Sequence, residues 1–190
     1  MKILLVQIKD FENISLENEI KSFFESKNDE VIIRAFELSA PEEITKDLCA
    51  SSNSFDYMIG IGLAAFFVLA ETNSNAKIVI NPWMSPSKKL SQRGSISQDL
   101  LSKLQKMEAK TYEWADAEMR CVTYGIFQLD ADIFDKNLFL NIYGRDMAGV
   151  NNYSFMKEEN LSLELGRALK YFEHIASLDY WKHMPGYITT

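Results

Sequence analysis

Two histidines and two cysteines in 190 residues leave little material for the chemistry those side chains carry. Cys49 and Cys121 form neither a C-x-x-C pair nor a metal-ligand spacing. They read as small buried hydrophobes, one in a helix and one at a strand start. No disulfide framework is expected, which fits a reducing cytoplasm. No metal or cofactor is expected either. His174 and His183 both fall near the C-terminus. Long apolar runs are missing too. None approaches the roughly 18 residues a spanning helix needs. The first such run, Met1 to Val6, is cut by Gln7, Lys9 and Asp10 before it reaches signal-peptide length. Basic charge is short: 20 Lys and Arg stand against 27 Asp and Glu, a net charge of -7. Nucleic acid and anionic membrane surfaces are therefore not expected as partners.

What remains is the balance of a globular protein, 47% hydrophobic and 25% charged. A chain of 190 residues can bury a core without staples, and a single domain over 1–190 is expected. There is no internal repeat, low-complexity tract or linker.

Strand-like and helix-like segments alternate along the chain. Ile3–Val6 is a continuous β-favouring run. Leu16, Ile20, Phe23 and Phe24 have helical spacing behind a Ser15 cap. Val31–Phe36 reads as a second strand, and Pro41-Glu42-Glu43 opens a helix. Tyr57–Ile61 and Lys77–Ile80 are the third and fourth strands, with a helix over Leu63–Ala70 between them. Trp83–Gly94 reads as loop. Ser95 and Gln98 make a capping box before a helix, and a short helical piece covers Tyr112–Ala117. Arg120–Phe127 and Leu138–Tyr143 are the expected fifth and sixth strands. A final helix carries Leu161, Leu165, Ala168, Leu169, Phe172, Ile175 and Ala176 on one stripe. This alternation predicts an α/β fold: three layers, α/β/α, around a mostly parallel sheet. Ligands of such sheets bind beyond the carboxyl ends of the strands.

The stretch from Asp56 to Phe66 reads as a buried strand, a tight turn and a helix start. A hydrolase built on that unit carries G-x-S-x-G there, with serine at the apex. Here the apex is Gly62, which has no nucleophile. It either simply makes a strained turn or leaves open space and a free N–H at Leu63 for an anionic group.

The order of pieces resembles the small bacterial α/β-hydrolases of the YqiA-like esterase group. Gly60-Ile61-Gly62-Leu63-Ala64-Ala65-Phe66 is similar to their nucleophile turn, and Ile80-Asn81-Pro82 to the strand end that follows it. Phe127 to Asp135 resembles their acid loop, and Asn141 to Met147 the loop that carries their histidine. The resemblance implies an α/β-hydrolase-like fold over nearly the whole chain. It also implies degeneracy, because every departure is catalytic. The first strand runs into Gln7-Ile8-Lys9-Asp10 rather than a His-Gly loop. The serine position is Gly62. The histidine loop holds Asp146 instead. Asp130 or Asp132 stands at the acid position.

Other readings stay open. Gly60, Gly62 and Ala65 satisfy G-x-G-x-x-A, yet the motif lies on the third strand, and Ile80 and Asn81 stand where an acid should hold the ribose. Ser85 or Ser87 could join His183 and an aspartate only through a geometry no sequence displays. Trp83 and Met84 either cover the core or line an apolar pocket over the turn. Asp130, Asp132 and Asp135 read as solvated turn carboxylates. Tyr180 to Pro185 forms an aromatic tail that packs back or meets another subunit.

The expectation is a hydrolase-like protein without covalent catalysis. It would bind a small ligand at Gln7, Ile8, Gly62, Leu63, Trp83 and Met84, or a protein partner. Self-association is left open. An active hydrolase using Asp130, Asp132 or Asp146 on a water is the alternative. A flavodoxin-like or nucleotide-binding domain is a further one.

Overall fold

The computed structural model describes residues 1–73, 76–94, 96–113, 117–144, 150–157 and 160–178. Six strands form one parallel sheet in the order β2-β1-β3-β4-β5-β6. They are β1 (Lys2–Ile8), β2 (Glu30–Phe36), β3 (Tyr57–Ile61), β4 (Lys77–Ile80), β5 (Thr123–Gln128) and β6 (Tyr153–Met156). The helices are α1 (Ile14–Glu25), α2 (Pro41–Ser51), α3 (Leu63–Ala70), α4 (Pro86–Gln92), α5 (Gln98–Glu113), α6 (Ala117–Cys121), α7 (Ile133–Ile142) and α8 (Leu161–Ser177).

The expected three layers are present. Alternate residues of each strand feed two cores. Leu4, Val6, Met58, Val79 and Phe127 pack under α2, α3, α4, α5 and α7. Ile3, Leu5, Ile59, Ile78 and Ile126 pack under α1 and α8. Cover on both faces is why β1, β3 and β4 are near-continuous apolar runs rather than alternating ones. All eight residues of α3 are buried.

Four local expectations are corrected. Leu138–Tyr143 is not a strand: it lies in and just after α7. A short apolar run fits either state, and the helix is decided upstream. Asp132 accepts the amides of Phe134 at 2.8 Å and Asp135 at 3.3 Å and so starts α7. The sixth strand is instead Tyr153–Met156. Buried Asn152 anchors its start by donating to the carbonyls of Arg120, Thr123 and Tyr143. Second, part of Trp83–Gly94 is helical, as α4. Its first turn is capped from 21 residues away: Glu108 accepts the Ser87 amide at 2.7 Å and its hydroxyl at 2.9 Å. Third, Gln7 and Ile8 belong to β1 rather than to the loop after it. Fourth, Cys121 ends α6 rather than starting a strand. It is buried, and Cys49 is half-buried.

The expected caps shift as well. Asn13, not Ser15, caps α1 by accepting the Leu16 amide. Ser97 bonds the Leu100 amide at the head of α5. Ser95 lies outside the described residues.

Candidate functional site: the turn after the third strand

The strand-to-helix turn has the backbone its sequence implied. Gly62 sits at φ 57°, ψ -115°, a region closed to most side chains. Its N–H donates to Ile80 O at 2.9 Å, and its carbonyl accepts the Trp83 amide at 3.0 Å. Two residues earlier, a Cβ on Gly60 would lie 2.7 Å from the Cα and N of Ala65. Only glycine lets α3 fold back that closely on β3.

A side chain at Gly62 would begin 3.4 Å from the indole nitrogen of Trp83. Trp83 is held from several sides. The Phe11 ring meets it edge-on at 5.9 Å. The Arg93 guanidinium lies 4.8 Å from its ring centre and the Lys89 ammonium 5.3 Å, both within cation–π range. Arg93 also reaches the Phe11 ring at 5.9 Å. The volume above the turn is therefore occupied by an aromatic and cationic stack.

The loop carrying Trp83 is fixed at both ends. Asn81 has a left-handed φ of 45°, which asparagine tolerates better than most residues. Its amide donates to Gln128 Oε1 at 2.6 Å and accepts the Gln128 amide at 2.8 Å. That reciprocal pair ties the carboxyl ends of β4 and β5 together. Two residues beyond Pro82, the amide of fully buried Met84 donates to Asp135 Oδ1 at 3.0 Å. Asp135 is buried and pairs with Lys89 at 2.5 Å. Asp132 approaches the same ammonium at 3.6 Å. Burial pushes the Asp132 carboxyl up, but the amides of Asp135 and Phe134 and the Lys89 charge outweigh it, and its pKa falls below the usual value. Behind this loop, burial raises Glu108 against the lowering bonds from Ser87, with Asp135 adding to the rise. Burial also pushes the Tyr112 hydroxyl up to about 12.

Beside Trp83 opens a cleft of about 210 Å³. Asn81, Lys89, Gln128, Asp130, Asp132 and Lys136 are among the residues that line it. It sits beyond the carboxyl ends of β4 and β5, where open α/β sheets bind ligands. Among the described residues, no group of three His, Cys, Asp or Glu could hold a metal ion.

The expected site residues divide between several places. Gly62 and Trp83 meet at the turn. Leu63 is the buried first residue of α3, and Met84 is buried beneath the cleft. Ile8 is buried at the end of β1, while Gln7 faces the opposite layer and donates to Glu17 at 2.6 Å. Asp130 and Asp132 line the cleft. Asp146 lies outside the described residues and precedes β6 in the chain. The last strand is followed in sequence by Lys157-Glu158-Glu159-Asn160, with no histidine. His174 is on α8, in the layer across the sheet from Trp83. His183 and the aromatic tail also lie outside the described residues. Ser85 and Ser87 serve α4: the first is its cap residue, and the second bonds Glu108.

Lys89 and Phe11 were not anticipated, and Asp135, expected as a solvated turn carboxylate, is instead buried against the Met84 amide and Lys89. A helical 132–135 spacing would have linked Asp135 to Asp132. Nothing local points to Phe11 or to Lys89.

No family model matches the chain, and no curated protein matches it. Among solved structures it is similar to the esterase domain of a Rhodothermus marinus protein. That likeness covers 93% of this chain and 85% of that one, with a TM-score of 0.56 and 13% sequence identity. At that identity it shows the fold alone, an α/β architecture shared with that domain. No described helix is long and apolar enough to cross a membrane.

Proposed function

We propose that this chain is an esterase-like binding protein without covalent catalysis, taking a small polar ligand in the cleft beside Trp83. One observation carries the reading. The turn has a strained strand-to-helix backbone like that of a nucleophile elbow, yet its apex is Gly62, which has no side chain, and the Trp83 indole lies in van der Waals contact with the point where one would begin. An acyl-enzyme needs a nucleophile and a base to activate it. The apex supplies neither. The cleft offers instead two amides, two ammonium groups and carboxylates, a donor and acceptor set suited to a small zwitterionic molecule.

The alternative of a carboxylate-activated water is less well supported. Asp132 is committed to the head of α7 and to Lys89, and its lowered pKa makes it a weak base at neutral pH. The order of the first five strands, 2-1-3-4-5, favours a second reading, a nucleotide-binding domain of flavodoxin type. Against it, Phe11 and Trp83 meet across the loops after β1 and β4, beside the β1/β3 switch point.

The test is hydrolysis of a short-chain aryl ester by purified protein, together with tryptophan fluorescence against a panel of small polar zwitterions. We expect hydrolysis at the buffer rate and a saturable fluorescence change. Asp130→Asn and Lys136→Gln should weaken that change without altering the melting temperature. Ester turnover lost in Asp132→Asn would overturn the proposal in favour of the water mechanism. Bound flavin or nucleotide in the purified protein would overturn it in favour of the nucleotide site.

A further inference from the structure

Among the described residues, the outer edge of β2 is bare: no strand pairs with it. Its register with β1 runs unbroken over seven residues, Lys2↔Glu30 to Ile8↔Phe36. It has no proline, no lysine and no bulge, and its two charges, Glu30 and Arg34, are of opposite sign. The hydrogen-bond parity says which groups are free. Glu30 N donates to Met1 O, and Phe36 O accepts from Lys9 N. The even-numbered residues therefore point their backbone groups inward to β1, and Val31, Ile33 and Ala35 point theirs outward.

We propose that this edge pairs with β2 of a second copy of the chain, antiparallel, about a two-fold axis at Ile32. The charge pattern selects that register. Centred on Ile32, Glu30 of each copy stands opposite Arg34 of the other, on the same face of the sheet, and the pair forms twice. Centred one residue later, Glu30 would meet Phe36 and Arg34 would meet Ile32, and the charges would go unanswered. Arg34 can accept the new partner. Its bonds to Asp47 and Ser51 both use Nη1, and a guanidinium has five donors. Glu30 is exposed.

The opposite face agrees. Ile33 is 44% exposed, unusual for isoleucine in the middle of a strand. In the proposed register it lies directly across from Val31 of the other copy, twice, in hydrogen-bonded pairs. Those β-branched pairs remove the exposed surface. The outward N–H and C=O groups of Val31 and Ile33 are satisfied by the same step. Two six-stranded sheets would become one of twelve strands, with the helical layers in line.

The experiment is the oligomeric state of the full chain by sedimentation and light scattering, for four proteins. The wild type should show a concentration-dependent dimer. Glu30→Arg puts like charges opposite each other at both positions and should weaken the dimer by about tenfold to a hundredfold. Ile33→Pro removes one outward N–H and none of the β1 bonds, so it should abolish the dimer while the melting transition stays cooperative. The exchange Glu30→Arg with Arg34→Glu restores complementarity and should recover the dimer. A strictly monomeric wild type sinks the proposal. So does a dimer indifferent to Glu30→Arg and Ile33→Pro, or an exchange that leaves the dimer as weak as the single variant.

Discussion

The indole nitrogen of Trp83 lies 3.4 Å from the point where a side chain on Gly62 would begin. The two residues are also joined through the backbone, by the Trp83 amide on the Gly62 carbonyl at 3.0 Å. One residue, Trp83, thus both closes the turn through its backbone and borders the space above it with its ring.

Gly62→Ser places a nucleophile's side chain at the apex and forces a non-glycine residue to φ 57°. That strain costs about 1–3 kcal/mol, a fall of roughly 5 °C in a melting scan of a chain this size. Ester turnover should not appear, because an unassisted serine hydroxyl stays protonated. A variant that hydrolyses aryl acetates would show that a base already faces the turn.

Gly60→Ala should be worse, although no positive φ is involved. Its Cβ meets the backbone of Ala65 at 2.7 Å, and backbone cannot rotate away. About 3 kcal/mol or more is expected from such overpacking. Gly94 is the control: its φ is 82°, but nothing lies within 4 Å of an added Cβ. Gly94→Ala should cost about 1 kcal/mol, for the left-handed backbone alone. Urea unfolding of the two variants side by side checks the order.

Asp135→Ala removes the acceptor of the buried Met84 amide and the close partner of Lys89. An unsatisfied buried amide plus a stranded charge should cost about 3 kcal/mol. Asp132→Ala loses a helix cap and should cost about 1 kcal/mol. Only the first change frees the loop beneath Trp83. In a chain with Trp114→Phe and Trp181→Phe, Asp135→Ala should shift tryptophan emission to the red while Asp132→Ala leaves it in place.

At the opposite end of the sheet, Lys77 is wholly buried with Glu71. Its ammonium donates to the Glu71 carbonyl. Burial lowers its pKa from 10.5 to about 8, against the pull of Glu71. Between those values the unfolded chain holds a proton that the folded chain has released. Stability therefore rises with pH through that window as far as Lys77 is concerned. Above about 10 the raised pKa values of Tyr112 and Tyr143 oppose the rise, since unfolded tyrosines ionise first. The paired change Lys77→Met with Glu71→Gln should flatten the pH 8–10 rise relative to wild type in urea titrations. An equal slope in both proteins would assign the rise to other groups.

Several elements were legible from local pattern alone. The β1, β3 and β4 runs are apolar because both faces are covered, and a continuous run records that directly. The stripe of α8 and the Pro41 start of α2 are similar cases. The turn at Gly62 was legible because only glycine suits both the backbone at 62 and the close approach at 60. Failures arose where a distant residue decides. Leu138–Tyr143 is apolar enough for a strand, but Asp132 had already started a helix. The 86–92 segment looks like loop because its cap, Glu108, comes from α5. Tyr153–Met156 is too short and mixed to stand out, and buried Asn152 holds its start from the neighbouring strand.

The sequence by itself determined the layered α/β fold and the empty apex of the third-strand turn. Periodicity, glycine sterics and residue identity are local properties, written in order along the chain. Only the tertiary structure decided that Phe11, Trp83, Lys89 and Arg93 converge above that apex, that Asp135 holds the loop, and that β2 ends the sheet. Those relations join segments tens of residues apart, and close packing of the folded chain, not local preference, brings them into contact.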